Sequence, residues 1–591
     1  MAEFAEKVDH PMKSLMSKQL PSTTTTLIHR AIVGAPDWWR DAVIYQVYPR
    51  SFADSNGDGI GDLPGVTAHL DHLVELGVDA IWLSPFYRSP QKDGGYDVAD
   101  YREVDPLLGT LADVDALLAA AHEQGLRVLV DLVPNHTSSA HGWFQEALAS
   151  APGSAARDRY VFRTGRGELG EEPPNNWLSK FGGPAWTRVT EADDSPGEWY
   201  LHLFDSSQPD LNWENAQVHA EFEQVLRFWL DRGVDGFRID VAHGLVKAPE
   251  LPDWTGRTTT VTGRKRRPNL TDEGPMWDQD GVHEILRAWR QVVAEYPGDR
   301  ALVAEAWVQP IERLARYVRP DETHQAFNFE FLKTRWSVPR YRAVITESLE
   351  ANDSVGATTT WVLSNHDVVR HPSRLGLKNA GSFPAGIAAT DEQPDEHRGL
   401  MRGRAASLLM LGLPGSAYLY QGEELGLPEA TTLPAEARQD PTFLGTGGNE
   451  IGRDGCRVPL PWVADAPALG FSPSGASWLP QPASFARYAL DTQLGVPGST
   501  YEMYRAALHL RRVRRLGSGS LAWVVGLAGT RKKKVLAFIN RDVMIVMNLG
   551  AAALPITPGC AVLITSRRLG IDAEDRQTIP RDTTVWLRFS S

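Results

Sequence analysis

Cysteine is nearly absent. Cys456 and Cys560 are the only two in 591 residues, and they lie far apart. Two distant thiols exclude a disulfide framework and any zinc pattern built on paired cysteines. A reducing compartment is therefore allowed. Also missing is an apolar run long enough to span a bilayer. Residues 1–35 lack the apolar core of a secretory signal and carry Ser22-Thr23-Thr24-Thr25-Thr26 instead. We read 1–35 as a flexible extension and take a cytoplasmic protein as the default. Positive charge is in deficit: Lys and Arg total 60 against 74 Asp and Glu, for a formal net charge of −14. That argues against nucleic acid or an anionic membrane as partner and fits a neutral substrate. The basic runs Arg264-Lys265-Arg266-Arg267 and Arg531-Lys532-Lys533-Lys534 are short and read as solvated loops.

What is present is ordinary for a soluble globular protein, with 42% hydrophobic and 23% charged residues. A chain of 591 residues is too long for one compact core, so two or three domains are expected. Nineteen tryptophans are many. Their faces suit sugar rings, although most of them are expected to fill the core.

From residue 40 onward, short β-prone runs alternate with amphipathic stretches. The strands are expected at 42–48, 78–84, 127–133, 235–240, 301–305, 324–329, 359–364 and 416–420. Helical patterns lie at 66–76, 111–124, 217–232 and 281–295. Eight strands with intervening helices predict an α/β fold, a (β/α)8 TIM barrel, over a doubly wound sheet. The barrel is divided as 36–136 and 215–514. Between them, 137–214 is rich in Gly, Pro, Asn and Trp and reads as a subdomain grown from the third βα loop. After residue 515, short apolar runs separated by turn residues predict a C-terminal antiparallel β-sandwich over 515–591.

Three of the expected strands end in carboxylates. Gly236-Phe237-Arg238-Ile239-Asp240 delivers an arginine and an aspartate two apart, hence on one face. Beside that fixed charge Asp240 is expected to stay ionised, able to attack an electrophilic carbon. Leu302-Val303-Ala304-Glu305 delivers a glutamate, and Ser364-Asn365-His366-Asp367 another aspartate. Asp240 and Glu305 end consecutive strands, and adjacent strands lie about 4.8 Å apart. Glycoside cleavage with retention needs two carboxyls about 5–5.5 Å apart, whereas inversion needs about 6.5–9.5 Å. His136, in Asp131-Leu132-Val133-Pro134-Asn135-His136, and His366 also stand at strand ends and can donate to sugar hydroxyls. Three unrelated ion-paired carboxylates are the plainer alternative, which their shared position at strand ends disfavours.

These segments resemble the signature regions of the family 13 glycoside hydrolases, the α-amylase superfamily: DLVPNH the first, GFRID the second, VAEAW the third and SNHD the fourth. Gln208-Pro209-Asp210-Leu211-Asn212-Trp213 resembles the fifth and Gly415 to Glu423 the seventh. The likeness runs over about 38–590. It implies Asp240 as nucleophile, Glu305 as general acid and base, and Asp367 as stabiliser of the transition state through ring hydroxyls. It further implies that Arg238 orients Asp240 and that Tyr101, His136 and His366 bind the same sugar. Asp97, in Gly95-Tyr96-Asp97-Val98-Ala99-Asp100-Tyr101, would anchor the non-reducing end in a salt bridge with Arg453. The family usually has Asn-Ala where this chain has Gly455-Cys456, which leaves Arg457 as the alternative partner.

A second pattern is Asp54-Ser55-Asn56-Gly57-Asp58-Gly59-Ile60-Gly61-Asp62. Oxygen side chains at alternate positions resemble the start of an EF-hand loop, though no glutamate follows at the twelfth position. In the oligo-1,6-glucosidase branch such a loop binds calcium. The resemblance implies a structural Ca2+ on Asp54, Asn56, Asp58, the Ile60 carbonyl and Asp62, with Mg2+ as the alternative ion and a plain Asp/Gly turn as the alternative reading.

The opening Trp38 to Phe52 resembles α-glucosidases and oligo-1,6-glucosidases more than endo-acting amylases. This implies an exo-acting α-glucosidase on short oligosaccharides such as maltose or isomaltose, with transglycosylation as a side activity, in a monomer or homodimer. Val241, after the nucleophile, resembles the α-1,6-preferring side, while Ala242 and His243 depart from it. Oligo-1,6-glucosidase is the alternative, followed by trehalose synthase. A non-catalytic relative of the transporter heavy-chain kind would have lost the carboxylates and gained a membrane helix.

Overall fold

The computed structural model describes residues 24–34, 37–256, 273–527, 534–556 and 558–589. The first 23 residues of the expected extension and the basic stretches 264–267 and 531–533 lie outside them. Eight parallel strands form one sheet: β1 (Val43–Val47), β2 (Ala80–Leu83), β3 (Arg127–Leu132), β4 (Gly236–Ile239), β5 (Ala301–Ala304), β6 (Gln325–Ala326), β7 (Thr360–Val362) and β8 (Ser416–Tyr420). Each expected strand is found, 416–420 at its expected bounds and the others shortened. The order runs β6-β5-β4-β3-β2-β1-β8-β7. A parallel bridge between Phe327 and Thr360 joins β6 to β7 and closes the barrel.

Alternation along each strand sorts side chains inward and outward. Val43, Tyr45, Ile81, Val130, Phe237, Ile239 and Leu302 join the large core under the surrounding helices. Ile44, Ala80, Trp82, Leu129, Val303 and Tyr418 fill the barrel interior. Arg238 and Asp131 fall on this inward parity. Gly236 is required where β4 meets β5, since a Cβ there would stand 2.2 Å from the Ala301 carbonyl oxygen.

The helices follow the expected apolar stripes, with capping signals at their starts. Thr110 and Asp113 form a reciprocal capping box at Leu111–Glu123, and Asn215 caps Ala216–Asp231. The stretch expected as one helix over 66–76 is two, Leu63–Ala68 and Leu70–Leu76. In the long third βα segment, Phe162–Arg163, Trp186–Thr190 and Pro196–Leu201 form an antiparallel sheet over the barrel mouth.

At the C-terminal end a six-stranded antiparallel sheet presents two apolar faces. Trp523, Phe538, Ile545 and Trp586 join the barrel core, whereas Val535, Ala537, Met544 and Leu587 pack with Leu554 and Ile579 of a small three-stranded sheet. The expected flexible extension is corrected where it is described. Thr24–His29 is an edge strand paired antiparallel with Leu521–Val525. The His29 Nδ1 meets Asp353 Oδ1 at 2.8 Å. β-Branched threonines suit an edge strand, so Thr24, Thr25 and Thr26 have a structural part. Among the described residues, no helix is long and apolar enough to cross a membrane.

Candidate active site

Arg238 is the hub. Strand register sets it beside Asp131 of β3 and Val303 of β5. Its Nη1 donates to Asp131 Oδ1 at 2.9 Å and to Asp240 Oδ1 at 2.5 Å, and its Nη2 to Glu305 Oε2 at 2.7 Å. The guanidinium lies 5.0 Å from the Trp82 ring and 5.8 Å from the Tyr96 ring. Ile239 and Ala304 are in register, so Asp240 and Glu305 leave their strands at the same level. Just past Asp240 the chain bends sharply. Val241 takes φ 45°, a left-handed conformation costly for a β-branched residue. That bend lets the Val241 N–H donate to Glu305 Oε2 at 3.1 Å. The other oxygen, Oε1, accepts from Trp307 Nε1 at 3.1 Å.

The expectation that Asp240 stays ionised beside Arg238 meets opposing influences. Burial pushes Asp240 well above the usual carboxylate range; Arg238 opposes the rise, while Glu305, Asp131 and Asp367 add to it. Burial also raises Asp131, to about 7. One guanidinium faces three carboxyls, so its charge is shared among Asp131, Asp240 and Glu305.

Asp367 has the opposite surroundings. Its Oδ1 accepts from Arg453 Nη1 and Arg457 Nη2, each at 3.0 Å, and its Oδ2 lies 3.2 Å from His366 Nε2. Burial works against ionisation, but these neighbours outweigh it and hold Asp367 well below the carboxylate range. His366 sits 2.6 Å from Gln46 Nε2 through its Nδ1 and stacks 5.0 Å from Tyr96. Burial drives His366 far below its usual value, and His136 down to about 4. His136 Nε2 lies 3.1 Å from both the Tyr96 carbonyl and Gln208 Nε2.

Two residues expected in the site lie behind it. Arg453 pairs with Asp93 at 2.6 Å and with Asp440 at 2.7 Å, not with Asp97. Asp97 is fully buried and accepts from Ser89 Oγ at 2.9 Å, the Asp93 N–H at 3.0 Å and the Lys92 N–H at 3.0 Å. It folds the loop that aims Asp93. The Tyr101 hydroxyl is taken by the Val133 and His136 carbonyls at 2.8 and 2.9 Å. Tyr96 holds the aromatic position instead, its hydroxyl donating to Asp131 Oδ2 at 2.9 Å. Sequence reasoning thus missed Asp93, Tyr96, Asp131 and Asp440. Lys92-Asp93-Gly94-Gly95-Tyr96-Asp97 offers two aspartates four apart, and spacing alone does not say which one faces inward.

The loop 54–62 spends its oxygens on its own backbone. Asp54 accepts from the N–H groups of Asn56, Gly57 and Gly59, Asn56 from Asp58, and Asp58 from Ile60, at 2.7–3.0 Å. Asp62 caps the helix Leu63–Ala68 through the Gly65 N–H. The donor set has the oxygen chemistry of a hard-cation site. Among the described residues, however, no group of three or more His, Cys, Asp or Glu side chains is arranged to hold a metal ion, so a preformed cage is not seen here.

Comparison with known proteins agrees with this geometry. Residues 46–518 match the model of the alpha amylase catalytic domain. A probable alpha-glucosidase of Rhizobium meliloti (strain 1021) is 42% identical over 83% of this chain and 85% of its own. An oligo-1,6-glucosidase of Parageobacillus thermoglucosidasius is 36% identical over 80% and 84%. Among solved structures, the alpha-glucosyl transfer enzyme XgtA is 38% identical with a TM-score of 0.79, covering 94% of this chain and all of its own. The chain belongs to the α-amylase family of glycoside hydrolases and is an enzyme of that class.

Proposed function

We propose that this enzyme is a retaining, exo-acting α-glucosidase that removes terminal α-linked glucose from short oligosaccharides. One observation carries the reading: Asp240 and Glu305 bond neighbouring nitrogens of one guanidinium, at 2.5 and 2.7 Å. Carboxyls set so close suit the spacing of about 5–5.5 Å used for retention and leave little room for the water that inversion needs. The Asp93–Arg453 pair supports exo action, since it supplies charged partners for the hydroxyls of one terminal ring.

In the first step Asp240 attacks the anomeric carbon while Glu305 gives its proton to the departing oxygen. Asp367, kept ionised by Arg453 and Arg457, faces the positive charge that builds on the ring. In the second step Glu305 takes a proton from water, or from an acceptor sugar, which then displaces Asp240. Transfer to an acceptor is part of the proposal, and the likeness to an alpha-glucosyl transfer enzyme favours it.

Glu305→Gln is expected to abolish maltose turnover while sugar binding persists; near-normal rates would remove Glu305 from the acid role. The first product seen by proton NMR should be α-glucose, and a β-anomer would refute retention. Val241 and the oligo-1,6-glucosidase relative favour a second reading, isomaltase action. A turnover panel of maltose, isomaltose, sucrose, trehalose and kojibiose decides between them. Calcium on the 54–62 loop is kept as a proposal that rests on its oxygen pattern, with a structural role only. Adding calcium to chelated protein should raise the melting temperature; an unchanged melt removes the ion.

A further inference from the structure

The Glu305 carboxyl is held unevenly, and the imbalance decides where its proton sits. A carboxylate offers about four lone-pair sites. On Oε2 both are engaged, by Arg238 Nη2 at 2.7 Å and by the Val241 N–H at 3.1 Å. On Oε1 one is engaged, by Trp307 Nε1 at 3.1 Å. An indole N–H and a guanidinium N–H only donate, so none of these partners can accept a proton from Glu305. The remaining site is the second lone pair of Oε1.

The indole is itself fixed. Trp307 stacks on Phe329 with ring centroids 3.9 Å apart and an interplanar angle of 10°. It is half-buried at the edge of the barrel interior, packed against the cluster that holds Trp82 and Phe327. Among the described bonds it is the one polar side-chain contact that reaches Oε1.

We propose that Trp307 is a positioning residue for the general acid. By occupying one lone pair of Oε1 it assigns the proton to the other and turns that proton toward the leaving oxygen. This rests on the reading of Glu305 as the acid. In glycosylation the Oε1 proton passes to the glycosidic oxygen as the C1–O bond breaks and Asp240 bonds C1. In the second half the entering hydroxyl returns a proton to Oε1. Without Trp307 the carboxyl can rotate and hold its proton off the line of transfer.

The test compares two substrates that differ in their need for an acid. The glucose expelled from maltose is a poor leaving group that needs protonation, whereas the 4-nitrophenolate of 4-nitrophenyl α-glucoside departs with little help. Trp307→Phe keeps an aromatic ring to stack on Phe329 and removes the N–H, together with part of the ring area. Its kcat/KM for maltose should fall about tenfold or more, part of the 10²–10⁴-fold that general acid catalysis supplies. For the aryl glucoside the fall should be several times smaller. Equal losses on both substrates would overturn the inference, because a merely structural role lowers both alike. Phe329→Leu, which loosens the platform but leaves the N–H, should show the same split at smaller size. If neither variant separates the substrates, Trp307 does not position the proton. Glu305→Gln serves as the control. If it shows the split and the Trp307 variant does not, this inference fails alone; if it shows none, the acid assignment itself fails.

Discussion

Alanine at Asp93 and, separately, at Asp97 distinguishes the carboxylate that faces the substrate from the one that folds the loop. Asp93→Ala removes the 2.6 Å partner of Arg453 but leaves that guanidinium with Asp440 at 2.7 Å and Asp367 at 3.0 Å. Stranding a lone buried charge costs about 3–5 kcal/mol. Two anions remain here, so the stability loss should be nearer 1–2 kcal/mol. Catalysis should suffer more. A hydrogen bond to a charged group contributes about 1.5–3 kcal/mol, so losing one such bond to the terminal glucose lowers kcat/KM about 10- to 150-fold.

Asp97→Ala has the opposite profile. It strips acceptors from Ser89 and from the Asp93 and Lys92 N–H groups, each at 2.9–3.0 Å. Unpaired buried donors cost about 1–3 kcal/mol apiece, so the melting temperature should fall clearly, and activity only as far as Asp93 moves. Calorimetry and steady-state maltose kinetics on both variants check this. An Asp97→Ala protein with a normal melt and a large catalytic defect, beside a fully active Asp93→Ala, would refute the assignment.

Three further outcomes are expected. Burial pushes Glu423 up to about 8 from 4.5, so the folded chain keeps a proton that the unfolded chain gives up, and stability falls as pH rises through that window. Glu423→Gln can still accept from the Tyr420 N–H and meet Tyr504; by calorimetry it should be more stable at pH 8 by about 2 kcal/mol and little changed at pH 4, and equal gains at both would refute this. Val241→Thr should raise the ratio of maltose to isomaltose turnover by about tenfold or less, a change of one pocket group; an unmoved ratio clears Val241 of any part in linkage choice. Arg238→Lys keeps a charge but loses the planar fork, so glycosylation and deglycosylation should both slow by about 10²-fold or more; pre-steady-state kinetics showing only one step impaired would refute a shared role.

Strand period and strand ends made the barrel legible, because inward parity is fixed by counting in twos. That is why Arg238, Asp240 and Glu305 could be placed on one face before any geometry, while Asp367, beyond the end of β7, was read from its position past a strand end. Loops carry no such period. Asp93 and Asp97 have the same chemistry and are both buried, and the turn at Gly94-Gly95, both with positive φ, decides which one meets Arg453. Tyr96 and Tyr101 were exchanged for the same reason. The sequence shows the arginine of Asp240 two residues away but not that Asp131 and Glu305, 107 and 67 residues distant from Arg238, share it. The edge strand Thr24–His29 was hidden by its polar composition, since its partner Leu521–Val525 lies nearly five hundred residues on.

That sharing of Arg238 has a mechanistic consequence. On the proposed cycle, Asp240 begins as the anion and Glu305 as the acid. After the first step Asp240 is an ester and Glu305 is the anion, so one negative charge has moved from one carboxyl to the other. Both carboxyls bond the same guanidinium, one at each terminal nitrogen, at 2.5 and 2.7 Å. Arg238 therefore has a charged partner before and after the step and need not reorganise between them, which is the condition under which fixed dipoles and charges lower a barrier most. Asp367 takes no part in this exchange. Its own guanidinium partners, Arg453 and Arg457, keep it ionised throughout, facing the ring carbon while that carbon is positive. A site with a single arginine for all four carboxylates could not do both, because each protonation change at Glu305 would pull charge from Asp367. Two separate sets of guanidiniums let one pair of carboxyls trade a proton while the third holds its charge.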